Sequence, residues 1–115
     1  MILIVEDEWL LREELAEDLR QEGWEVLEAS SGEKALTYMG SGRHIDLLIT
    51  DVRLSGPLSG WDVAQTYRNA EWELPVIYTT ANARDVSRMV PGSFFLGKPI
   101  QISALLDTCR SLLGR

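Results

Sequence analysis

Five short apolar runs, each stopping at a polar residue and most separated by a segment of helical periodicity, constrain this chain more than any other feature. Ile2 to Val5 ends at Glu6-Asp7, and Ile45 to Thr50 runs into Asp51. Pro75 to Thr80 closes on Thr79-Thr80, Ser93 to Leu96 is followed by Lys98, and Glu25 to Glu28 reads as a fifth, shorter strand. Between them, residues 10–22 carry an apolar stripe of Leu11, Leu15, Ala16 and Leu19, which Gly23 terminates. Ser31 caps a second helix through Met39, a third covers about 61–70, and a last one spans Ile102 to Leu113. Strands separated by helices imply parallel pairing through right-handed crossovers, and continuous apolar strands imply a sheet covered on both faces.

Charge and length narrow the function. The 115 residues predict one domain with one core. A formal net charge of −7 argues against direct binding to duplex nucleic acid, which depends on clustered Lys and Arg. No apolar run approaches the ~20 residues of a membrane span. A single cysteine, Cys109, cannot form an internal disulfide and fits a reducing, cytoplasmic setting.

In an open parallel sheet, ligands bind beyond the carboxyl ends of the strands, where the strand order reverses. If the ends of the first and third strands are neighbours, Glu6, Asp7 and Asp51 share a pocket. Three carboxylates repel one another unless protons or a cation intervene. An all-oxygen donor set without His or Cys selects a hard ion, Mg²⁺ first. Lys98 would add positive charge and Thr80 a hydroxyl, which together suit a phosphoryl group in transfer.

At this point the residues resemble a family. Ile4-Val5-Glu6-Asp7-Glu8, Leu47-Leu48-Ile49-Thr50-Asp51, Pro75-Val76-Ile77-Tyr78-Thr79-Thr80-Ala81 and Lys98-Pro99 are similar, in order, to the receiver domain of bacterial two-component response regulators. Each motif alone is common; their succession after apolar strands is not. The resemblance covers essentially the whole chain. It implies a flavodoxin-like, doubly wound α/β fold with a five-stranded parallel sheet of order 2-1-3-4-5, formed by a single receiver domain over residues 1–115 without an output domain.

The resemblance also implies roles. Asp51 would accept a phosphoryl group from a phosphohistidine on a sensor histidine kinase or phosphotransfer protein. Asp7 would ligate Mg²⁺ directly and Glu6 through water, with Asp51 and the Arg53 backbone carbonyl completing the set. Thr80 and Lys98 would contact the phosphoryl oxygens, and Phe95 would be a switch aromatic, although neighbouring Phe94 could equally point inward. Arg53 and Asn82 would tune the acyl-phosphate lifetime, and Lys98-Pro99 would be cis. The expected product is a signalling phosphoacceptor rather than an enzyme. Thr79 reads as a strand residue, His44 as a loop residue and Cys109 as core.

Two departures stand out. The loop after Asp51 carries Leu54-Ser55-Gly56-Pro57 where the family places Met-Pro, and Gly60 follows nine residues on instead of eight. Between Thr80 and Lys98 the chain is about four residues short, so the fourth of five expected helices, within residues 82–92, is short, irregular or absent. That region serves dimerisation in ordinary receivers, which predicts a monomer or weak dimer here. A receiver cut from a longer regulator or hybrid kinase is the alternative. An aspartyl-phosphate phosphohydrolase would carry Asp where Arg53 stands, and a flavin carrier would show a Ser/Thr/Gly-rich loop after the first strand. An unphosphorylated docking module would not need the complete acid pocket.

Overall fold

The structure, a computed structural model, describes residues 1–82 and 87–114. The elements follow as β1 (Ile2–Val5), α1 (Trp9–Gln21), β2 (Val26–Ala29), α2 (Gly32–Thr37), a 3₁₀ turn (Tyr38–Gly40), β3 (Leu47–Asp51), α3 (Gly60–Ala70), β4 (Val76–Thr80), β5 (Phe94–Gly97) and α4 (Ile102–Leu113). All four strand pairings are parallel, in the order β2-β1-β3-β4-β5. The expected α/β fold and strand order are therefore present.

Alternation along the strands divides the core between two layers. Leu3, Val5, Leu48, Val76 and Tyr78 face α2 and α3, where they meet Ala35, Trp61, Val63, Ala64 and Tyr67. Ile2, Ile4, Leu47, Ile49 and Ile77 face α1 and α4, where Leu15, Ala16, Leu19, Leu105 and Cys109 cover them. Every residue of β1, β3 and β4 is buried, as strands covered on both faces must be, whereas the edge strand β5 is only partly covered.

Local chemistry sets the helix boundaries. Ser31 accepts from the Lys34 N–H, the predicted cap of α2. Ser59 and Asp62 form a reciprocal capping box at the start of α3. Some limits differ from the sequence reading by one or two residues. The second helix tightens into a 3₁₀ turn after Thr37, because i→i+3 bonding closes a helix end with little extra chain. Strand β3 starts at Leu47 rather than Ile45, preceded by Asp46, whose side chain pairs with the Met1 amino group and whose N–H donates to the Met1 carbonyl, and it extends through Asp51. Between β4 and β5 the described residues are turn and loop, so the final helix is α4; residues 83–86, part of the expected irregular segment, lie outside the described residues.

Buried titratable groups make this core sensitive to alkali. Burial pushes the Cys109 thiol from 9.0 up to about 12 and the Tyr67 hydroxyl from 10.0 up to about 12. Both groups are held neutral in the fold, while the unfolded chain releases their protons earlier. Stability contributed by these groups is thus complete below pH 9 and declines as the pH rises from 9 to about 12. Thermal midpoints measured across this window should fall steadily; a flat profile would contradict the assignment.

Candidate functional site

The site lies where the strand order reverses, beyond the carboxyl ends of β1, β3, β4 and β5. Strand β1 delivers Glu6 and Asp7 into the turn before α1, and β3 ends on Asp51. One carboxylate oxygen from each of Glu6, Asp7 and Asp51 lies within 4.8 Å of the others. Parallel pairing of β1 with β3 brings Asp51, more than 40 positions further along the chain, beside Glu6 and Asp7 at the carboxyl ends of the strands.

Lys98 joins two of the acids. Its Nζ donates to Glu6 Oε1 and to Asp51 Oδ2, each at 2.8 Å. The ammonium thus offsets part of the negative charge of the three carboxylates in this structure. Lys98 is anchored by its own N–H, which donates to the Thr80 carbonyl and extends β5 alongside β4; its bond to Pro99 is cis, as the resemblance implied. The remaining anchors come from backbone. Glu8 N–H donates to Glu6 Oε2 at 3.1 Å and Arg53 N–H to Asp51 Oδ1 at 3.2 Å. Arg12 clamps the turn by donating to the Glu6 carbonyl at 2.9 Å and to Glu28.

The electrostatics follow from burial and pairing. Burial raises the Glu6 carboxyl above its ordinary value; the Lys98 bond and the Glu8 N–H oppose this, and the nearby Asp51 charge reinforces it. Desolvation works against the Lys98 ammonium, but its bonds to Asp51 and Glu6 outweigh it and raise its pKa. Asp7 is exposed. What desolvation it suffers is overcome chiefly by the hydrogen bonds that Ser55 donates, which hold its carboxyl below the usual range.

Beside this cluster, Asp51, Arg53, Thr80, Ala81, Asn82 and Lys98 line an open cleft of about 290 Å³. Thr80 Oγ1 accepts from the Asn82 N–H at 3.1 Å. The Arg53 side chain is exposed, and its backbone N–H is the group that contacts Asp51. Thr79 is buried within β4, opposite Asp51, and its carbonyl accepts from Val52 N–H. Of the two candidate aromatics, Phe95 packs against the α2–α3 layer while Phe94 is exposed, so Phe95 faces inward. His44 is exposed and pairs with Asp46, away from the site.

Sequence reasoning missed two residues that shape the pocket. Ser55 donates its N–H and hydroxyl to Asp7 Oδ2, at 3.0 and 2.6 Å. Gly60 sits directly against the backbone of Asp51. The altered loop spacing pointed at this region but not at the contacts.

Removing Lys98 should expose the cost of gathering these acids. In Lys98→Ala, the buried Glu6 and Asp51 carboxylates lose their counter-charge, a loss of about 3 kcal/mol for such a pair. Millimolar Mg²⁺ should restore much of it, and acid should lessen it, because Glu6 then takes up a proton. Urea midpoints with and without Mg²⁺ check this; a loss under ~1 kcal/mol would refute it.

A doubly wound sheet with an acid triad and a lysine at its switch point defines an α/β domain built around an acidic aspartate site. The chain belongs to the response regulator receiver domain family, whose model matches residues 2–110. It is 36% identical to the response regulator MprA of Mycobacterium avium, over 99% of this chain and 51% of that protein. Among solved structures, a response regulator receiver protein from Sinorhizobium medicae superposes with a TM-score of 0.92 at 34% identity, covering 98% of this chain and 93% of the other. TrrA from Thermotoga maritima, solved in complex with Mg²⁺–BeF, gives 0.85 at 33% identity, covering 96% of each. The chain spans about half the length of the curated relatives it matches. It is a receiver domain of two-component signalling. Domains of this family bind Mg²⁺ at an acidic pocket and interact with histidine kinases or phosphotransfer proteins. Here the donor set of three clustered carboxylates fits such a hard ion. No helix among the described residues is long and apolar enough to cross a membrane.

Proposed function

We propose that Asp51 accepts a phosphoryl group from the phosphohistidine of a sensor histidine kinase or histidine phosphotransfer protein. The observation that carries this reading is Lys98 Nζ at 2.8 Å from both Glu6 and Asp51, with Asp7 completing the cluster beside an open cleft. A carboxylate oxygen of Asp51 forms the new O–P bond as the P–N bond breaks, and the electron pair of that bond leaves with the imidazole nitrogen. Glu6, Asp7, Asp51 and the Arg53 carbonyl would hold Mg²⁺, which when bound supplies positive charge to the phosphoryl oxygens. Lys98 exchanges its Asp51 partner for a phosphoryl oxygen, and Thr80 offers its hydroxyl from the opposite wall.

The same residues set the lifetime and the output. Arg53 and Asn82 flank the cleft and govern the access of water to the acyl phosphate. Movement of Thr80 toward the phosphoryl group leaves room into which Phe95, already facing inward, turns. The chain promotes its own phosphorylation and dephosphorylation without acting as a turnover enzyme. We take it to work in the cytoplasm, and the short connection between β4 and β5 favours a monomer or weak dimer. A second reading, that it serves as the receiver unit of a longer regulator, is favoured by its spanning half of relatives such as MprA.

Incubation with Mg²⁺ and a small phosphoryl donor should add one hydroxylamine-labile phosphoryl group. Beryllofluoride should change the fluorescence of Trp9 and Trp61, which flank Asp7 and the Asp51 loop. Absence of both responses would overturn the proposal.

A further inference from the structure

The three acids of the pocket are not held alike. Glu6 and Asp51 are buried and pinned by Lys98 and by the backbone N–H groups of Glu8 and Arg53. Asp7 is exposed, and a side chain in solvent samples several rotamers unless something fixes it. The fixing group comes from the β3–α3 loop, 48 residues away in sequence. Ser55 donates both its N–H, at 3.0 Å, and its hydroxyl, at 2.6 Å, to the same oxygen, Asp7 Oδ2. Gly56, at φ +93°, turns the chain immediately after this contact. Ser55 also belongs to the stretch in which this loop departs from the family pattern.

We propose that Ser55 is a positioning residue for the divalent cation, acting through Asp7. Two donors on Oδ2 lock the carboxylate in one rotamer, which leaves its other oxygen to serve as ligand without the entropic cost of being ordered on binding. A hydrogen-bonded carboxylate is how outer-shell groups commonly tune a metal site, and loss of such a partner weakens binding about 10–100-fold. The contact works in both directions: a cation that orders Asp7 also orders the β3–α3 loop, which links occupation of the pocket to the shape of the rim over Asp51. The inference rests on the reading that Glu6, Asp7 and Asp51 hold the ion.

Mg²⁺ titrations followed by intrinsic fluorescence and by the rise in thermal midpoint test it on the full chain. Ser55→Ala keeps the backbone donor and loses the hydroxyl, so its Mg²⁺ Kd should rise about 10-fold. Ser55→Thr, which retains a hydroxyl, should recover most of this, and the midpoints of all three proteins without Mg²⁺ should agree. That last comparison separates positioning from a merely structural role, which would lower the metal-free midpoint. A Ser55→Ala protein with wild-type affinity would overturn the proposal, and tighter binding would show that Ser55 competes with the ion instead. Asp7→Asn serves as the reference: if the wild-type protein itself does not respond to Mg²⁺, the metal reading fails and the clamp with it.

Discussion

Asp51→Asn is expected to abolish covalent phosphorylation while leaving the fold intact. Asparagine has nearly the shape of aspartate, so the end of β3 can keep its place. Its amide, however, is a poor nucleophile and carries no charge to draw a cation and a phosphoryl group together. Loss of a group that forms the covalent bond removes about 10³-fold or more of the rate. Stability should not suffer in proportion, because the substitution takes one negative charge out of a crowded pocket and leaves Lys98 its bond to Glu6. Labelling with phosphoryl donor, read by intact mass and hydroxylamine lability, checks this directly. Undiminished labelling in Asp51→Asn would move the acceptor role to another residue.

Gly60→Ala is expected to damage both stability and phosphorylation. A Cβ built at this position would lie 2.0 Å from the Asp51 carbonyl oxygen, 2.8 Å from its carbonyl carbon and 2.9 Å from Val52 Cα. All three are backbone atoms, so no side chain can swing aside. Gly60 N–H also donates to the Val52 carbonyl at 2.8 Å, which ties the first turn of α3 to the end of β3. A methyl group there must push the acceptor strand from the helix that carries Trp61, Val63, Ala64 and Tyr67 into the core. Overpacking against backbone costs about 3 kcal/mol or more, a large part of the 5–15 kcal/mol typical of a domain. Gly40, with no atom within 4 Å of a built Cβ, provides the control. Gly40→Ala should change the urea midpoint little, whereas Gly60→Ala should lower it sharply and reduce phosphoryl incorporation. Equal effects of the two would refute the close-approach argument.

Much of the site was legible because its residues lie at strand ends, and strand ends are written locally. The apolar run of β1 stops where Glu6 and Asp7 begin, and that of β3 carries Asp51 on its last position. Lys98-Pro99 and Thr80 were recognisable only in combination, since neither means much alone. Phe95 and Phe94 could not be separated by pattern. A strand alternates its faces, but which face is inward at a sheet edge depends on what covers it, and only the packing of Phe95 against the α2–α3 layer decides this.

Ser55, Gly60 and the double pairing of Lys98 belong to another category. Each depends on a contact between segments separated widely in sequence or on the path of a loop, and no periodicity records such distances. The shortened segment before β5 was readable as a shortage of residues, and the described residues there are turn and loop as expected.

By itself, then, the alternation of apolar and amphipathic segments determined the class of fold, the number of strands and the identity of the acids, because burial and hydrogen bonding act over a few residues at a time. The tertiary structure alone decided how those acids are held. It placed one ammonium between Glu6 and Asp51, brought a serine from a distant loop onto Asp7, and pressed Gly60 against the acceptor strand. These depend on where parallel strands and their connecting loops come to rest, which is settled by the packing of the whole domain.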